Sequence, residues 1–136
     1  MYLSPQQVED EFSEPRLRAA LDDDGDGNAD DGLLARLIAS AGEAVDGFLA
    51  GRFVVPFEPV PKLVTEATLI FVCEKIYERR RSGPDEKNPY AERATEFRRR
   101  LKAIADGEQS LDAKQLPAFT PGAVIQTASA LNASTL

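Results

Sequence analysis

Val45-Asp-Gly-Phe-Leu-Ala-Gly-Arg-Phe-Val-Val-Pro-Phe-Glu-Pro-Val-Pro-Lys62 reads as four pieces in order. An amphipathic helix ends, a glycine stops it, a short apolar segment extends, and a proline-punctuated turn leads into another helix. Pro56, Pro59 and Pro61 each lack an N–H and bias the residue before them away from helical backbone, so no helix crosses this stretch. Phe53-Val-Val is aromatic and β-branched, which suits extended backbone. The stretch holds no Ser, Thr, Cys or His, the usual nucleophiles and general base. The fold class that follows is all-α: a small bundle of about four to five helices with a short extended segment near 53–57.

Towards the N-terminus, Leu34, Leu37, Ile38, Ala41, Val45, Phe48 and Leu49 recur at helical spacing and define one core-facing stripe. Asp30 or Asn28 can cap this helix, and Gly51 can end it in the left-handed conformation. Further back, Ser4, Pro5 and Gln7 form a capping box opening a short helix over Pro5–Phe12, with Leu3 and Val8 placed as a hydrophobic staple. A second short helix covers Glu14–Leu21.

Towards the C-terminus, a long helix runs from Lys62 to Arg81. Its middle, Ala67–Cys73, is apolar on nearly all sides except for Thr68, the mark of a central helix. Asn88 and Pro89 open the last helix, in which Tyr90, Ala94, Phe97, Leu101 and Ile104 form a seam of about two heptads. Gly107 ends it. From residue 108 onward the charges thin out while Leu116, Phe119, Val124, Ile125 and Leu131 stay apolar. That composition suits an extended arm docking on something, its own domain or a neighbour, rather than a free linker. The expected organisation is a helical domain over 1–107 and an arm over 108–136. Phe53, Val54, Val55 and Phe57 in the extended segment, with Leu116, Phe119, Val124 and Ile125 in the arm, are the candidate contact residues.

The 136 residues carry a net charge of −7, unevenly placed. Residues 1–61 hold 4 basic and 13 acidic side chains, residues 62–107 hold 11 and 8. An acidic end and a mildly basic end suit contacts with other proteins, whereas a tight nucleic-acid binder needs a net basic domain. The single cysteine, Cys73, can form no intrachain disulfide and reads as a small core residue. Met1-Tyr-Leu-Ser-Pro reads as a helix start rather than a basic leader, and no apolar run reaches the ~20 residues of a membrane span.

The acidic loop Asp22-Asp-Asp-Gly-Asp-Gly-Asn-Ala-Asp-Asp31 has two readings. Asp22, Asp24, Asp26, Asn28 and Asp30 fall at positions 1, 3, 5, 7 and 9 of an EF-hand-like loop, with Gly27 at position 6, which is a donor set for calcium. Leu33 stands where the bidentate Glu belongs. The other reading is a solvated turn whose carboxylates favour the positive end of the following helix. The runs Arg79-Arg-Arg and Arg98-Arg-Arg lie near helix C-termini, where cations offset the dipole. They also suit an acidic partner or passing DNA. No histidine is present, which removes the usual general base, so an enzyme is not expected.

Taken together, Met1-Tyr-Leu-Ser, the Asp-rich loop, Leu33-Leu-Ala-Arg-Leu-Ile, Val45-Asp-Gly-Phe-Leu-Ala-Gly-Arg-Phe, the Pro-Phe-Glu-Pro-Val-Pro turn and Ile104-Ala-Asp-Gly-Glu resemble the head–tail connector proteins of tailed phages in the Mu-like prophage neck-protein family. The resemblance covers roughly residues 1–107. It implies a small helical bundle assembling as a ring with itself, commonly a dodecamer. Such a ring joins portal protein to stopper or tail-terminator protein, with DNA passing through its lumen and no membrane involved. It also implies a place in the virion neck, after assembly in the host cytoplasm. The competing reading is a small calcium-dependent interaction module built on residues 22–33.

Overall fold

The computed structural model describes residues 1–79, 83 and 85–116. Among these the chain is all-α, with five helices: α1 (Pro5–Glu9), α2 (Glu14–Ala20), α3 (Leu33–Leu49), α4 (Lys62–Arg79) and α5 (Ala91–Ala105). The helix α4 is central because the other four all pack on it. Val64, Ala67, Thr68, Ile70, Phe71, Val72, Cys73 and Ile76 are buried along it, on several faces at once. Thr68 is tolerated there because its hydroxyl donates to the Val64 carbonyl at 2.7 Å, which satisfies a group that would otherwise be costly to bury.

α3 buries Leu33, Ile38, Ala41, Gly42, Val45 and Leu49, leaving Leu34, Leu37 and Phe48 half-buried at the stripe's edges. α5 buries Ala94, Leu101 and Ile104, while Tyr90 and Phe97 on the expected seam are only partly buried against the core. The capping box at Ser4 and Gln7 is present, and the staple residues Leu3 and Val8 are both buried.

Several boundaries differ from expectation. α1 stops at Glu9, because the Glu11 N–H turns back to the Val8 carbonyl, three residues away, instead of continuing the helix. Gly51 does not end α3 in the left-handed conformation. Ala50 is right-handed and the Arg52 and Phe53 N–H groups both return to the Leu49 carbonyl, so the chain leaves through a tight turn. Neither Asp30 nor Asn28 caps α3 through its side chain, since Gly32, at φ 74°, occupies the cap position. Asn88 accepts from the Tyr90 N–H at 2.9 Å, so it organises the turn before α5, and the regular helix starts at Ala91. Gly107 does behave as expected. At φ 82°, its N–H reaches the Ile104 carbonyl and the Glu108 N–H reaches Ala103, a Schellman closure.

The segment after α5 returns to the bundle. Phe53 and Gln115 form an antiparallel bridge, with the Val54 N–H donating to Lys114 O and the Leu116 N–H to Arg52 O, each at 2.9 Å. Leu111 and Ala113 pack against the core. Residues 108–116 therefore dock in cis, and the helical unit extends past Gly107 to at least Leu116. The rest of the expected arm, with Phe119, Val124, Ile125 and Leu131, lies outside the described residues, as do Arg80 and Arg81.

Candidate interaction surfaces and the acidic loop

The acidic loop is folded by its own carboxylates. Asp22 accepts from the N–H groups of Gly25 at 2.8 Å, Asp26 at 3.2 Å and Gly27 at 2.8 Å. Asp24 accepts from Asp26 and Asp26 from Asn28. Gly25 and Gly27, at φ 78° and 86°, supply the left-handed steps of this winding. Asp30 closes the loop: its N–H donates to Leu21 O at 2.8 Å and its Oδ2 accepts from the Asp23 N–H at 3.2 Å. Arg79 fastens the loop to α4, its Nε donating to Ala20 O at 2.8 Å and its guanidinium pairing with Asp23.

Carboxylate oxygens of Asp22, Asp24 and Asp30 lie within 4.8 Å of one another. Asp30 Oδ1 is shut off from solvent and has no hydrogen-bond partner among the described residues. Burial pushes the Asp22 carboxyl up, but the N–H donors of Gly27, Gly25 and Asp26 and the hydrogen bond to Asp24 outweigh it, so it sits below the usual carboxylate range. The Asp26 N–H pulls Asp24 down, yet its hydrogen bond with Asp22, burial and the Asp26 charge leave it raised. Of the five sequence candidates, the structure thus gathers Asp22, Asp24 and Asp30. Asp26 is not among the clustered carboxylates, and its own carboxylate is engaged by the Asn28 N–H. Leu33, at the twelfth position, is buried in the core and offers no ligand.

Of the candidate contact residues, Phe53 and Phe57 are only 2% and 3% exposed. Their rings pack on each other at 6.0 Å, and Tyr2 covers Phe57 at 6.1 Å, so both anchor this chain's own core and are not free for a partner. Val54 and Leu116, at 38% and 40%, are exposed, and Val55 is half-buried. Of these, Val54 lines a groove of about 400 Å³, with Pro56, Glu58, Pro59 and Lys114 among others.

The basic run on α5 is mostly engaged. Arg98 pairs with Glu74 at 2.6 Å and lies over the Phe71 ring, and Arg99 pairs with Glu96. Arg100 instead stacks on an aromatic of α5, and Arg93 on the Tyr90 ring at its N-cap. Arg100 lies 5.4 Å from the Phe97 centroid and Arg93 6.0 Å from that of Tyr90. Neither forms an ion pair among the described residues. The repeated aromatic-x-x-Arg spacing, Tyr90…Arg93 and Phe97…Arg100, is a sequence signal for this face that the charge count alone does not reveal.

Potential reactive groups are held in unreactive settings. Cys73 is fully buried, and burial, with the Glu11 charge adding to it, pushes its thiol up to about 12. The Tyr77 hydroxyl is raised mainly by its hydrogen bond to Glu86. No helix among the described residues is long and apolar enough to cross a membrane.

No curated protein matches the chain significantly. The family described as Bacteriophage Mu, Gp36 matches residues 2–126, which takes in the whole bundle, the acidic loop and the returning segment. The chain is thus a Mu-like phage protein, and it belongs to the bacteriophage Mu Gp36 family.

Proposed function

We propose that this protein is a structural head–tail connector. Copies assemble as a ring that joins the portal to the stopper or tail and lines the DNA exit channel, in the neck of the virion. The observation that carries this reading is the match of nearly the whole chain to a Mu phage family. The architecture supports it: a bundle knitted around α4, with potential reactive groups buried or paired, suits a building block and not an enzyme. The charge of −7 supports it too, since an acidic ring repels the phosphate backbone and lets the genome slide. Beyond Leu116 the chain carries Phe119, Val124 and Ile125, apolar anchors for a neighbouring subunit or neck partner. Co-expression with the phage portal, followed by electron microscopy, tests the reading. Rings seated on the portal are expected, and a phage lacking the gene should accumulate DNA-filled heads without tails. Joined, infectious particles from the deleted phage overturn it.

One observation favours calcium as a second reading, the orphaned Asp30 Oδ1 beside Asp22 and Asp24. Ca²⁺ takes six to eight oxygens, and three clustered carboxylates supply part of that shell. Calorimetry with calcium alone tests it. Binding that vanishes in Asp22→Ala supports a cation site, whereas a flat titration leaves the loop a self-capped turn.

A further inference from the structure

Two surfaces of this chain complement each other. The first is a groove of about 580 Å³ between α1, α2 and the start of α3. Leu17, Leu21 and Leu34 line its floor, and the exposed Glu9 and Glu14 line its rim. The one guanidinium in the lining, Arg18, is already paired with Glu14 at 3.6 Å. The second surface is the stripe of Tyr90, Arg93, Phe97 and Arg100 on α5, at spacings of three, four and three, which places all four on one helix face. It presents the Phe97 ring, partly buried against this chain's own core, between two guanidiniums that form no ion pair among the described residues. Seven residues of helix separate the guanidiniums, roughly 10 Å of rise, enough to straddle a groove.

We propose that the Arg93–Phe97–Arg100 face of α5 docks into the acidic α1–α2–α3 groove of a second copy of this chain. The occupant is argued from charge. Residues 1–61 carry −9 and residues 62–107 carry +3, so the acidic end of one copy attracts the basic end of the next and repels its own kind. Phe97 enters over the leucine floor while Arg93 and Arg100 reach the carboxylate rim. Stacked guanidiniums are suited to this, because the rings beneath them already hold them in place and reduce what ordering costs on binding. The two surfaces share no residue, so one copy can present both. Such a contact is heterologous: repeated by a closing rotation it generates a ring, whereas a self-complementary patch would stop at a dimer. The contact rests on the connector reading, which requires copies to associate, and it assigns the faces by which they do so.

The test uses the full chain in sedimentation velocity at the highest soluble concentration, with circular dichroism to confirm folding. The variants are Arg93→Glu/Arg100→Glu and Glu9→Lys/Glu14→Lys. Each alone should weaken self-association by at least about tenfold, and an equimolar mixture should restore it, because the reversed charges then face each other across one contact. Rising salt should weaken the wild-type association. If a reversal variant fails to fold, Arg93→Gln/Arg100→Gln carries the test, with weakened association expected. Wild-type association in folded variants, no restoration in the mixture, or a monomeric wild type overturns the docking surface. So does a loss of DNA or portal binding in the arginine variant with self-association intact, which would assign this face another occupant. Portal binding by the same wild-type sample decides the connector reading separately.

Discussion

The Tyr2 hydroxyl donates to Asp46 Oδ1 at 2.5 Å and accepts the Phe57 N–H at 2.9 Å. One side chain near the N-terminus thereby joins α3 to the proline turn, and its ring lies against Gly42, where an added Cβ would sit 3.3 Å from Tyr2 Cδ2. Burial, then the bond to Asp46, pushes the Tyr2 hydroxyl from 10.0 to about 12. The neutral hydroxyl is the form the fold favours. Its contribution is therefore fully present below pH 10 and is lost as pH rises through about 12. Tyr2→Phe leaves the buried Phe57 N–H without an acceptor and should cost about 1–3 kcal/mol. Urea melts at pH 8 and across the alkaline range check both parts: the wild type should lose part of its advantage over Tyr2→Phe at the top of the range.

Leu101 is completely buried on α5, whereas Phe97 on the same seam is only partly buried against the core. Leu101→Ala should cost about 2–5 kcal/mol, and Phe97→Ala clearly less than the 3–5 kcal/mol of a buried phenylalanine. Denaturant melts of the two variants would show the order, and equal losses would mean the stripe faces the core.

Asn88 ties α4 to α5. Its amide donates to Glu74 O at 3.0 Å and to Glu78 Oε2 at 2.9 Å, while its carbonyl accepts from Tyr90 N–H. Asn88→Ala should cost about 1–3 kcal/mol. Asn88→Asp keeps the acceptor but sets a carboxylate against two oxygens, so it should be the worse of the pair. Thermal melts rank them.

A chain ending at Leu116 keeps the Phe53–Gln115 bridge and should fold as the full-length protein does. One ending at Gly107 loses that bridge and the cover of Leu111 and Ala113 over the core. It should remain helical but melt lower, with Phe53 more accessible. Circular dichroism and hydrogen exchange at Phe53 and Val54 separate the two truncations.

The bundle was legible where one residue's chemistry decides local structure. Ser4 with Gln7 placed α1, three prolines separated α3 from α4, and Gly107 closed α5. Less legible were choices decided by distant partners. Asp30 has the chemistry of a cap, but the Asp23 N–H competes for its carboxylate, and Gly32 takes the cap position. Phe53 and Phe57 look like free apolar anchors in a list of residues. Only the packing of Tyr2, far away in the chain, shows them enclosed. The acidic cluster was half visible, because spacing nominates five oxygen donors while the winding of the loop gathers Asp22, Asp24 and Asp30.

The pairing of residues 52–54 with 114–116 also settles how the bundle would bear a load. Tension applied beyond Leu116 meets the Leu116 N–H bond to Arg52 O before it meets α5. The force passes into the end of α3, whose buried Leu49 and Val45 are keyed into the centre of the protein. The last helix, closed at Gly107, is shielded from unwinding. A tail fixed to another body would thus pull on the scaffold as a whole, through a short backbone clasp set well before the chain's end.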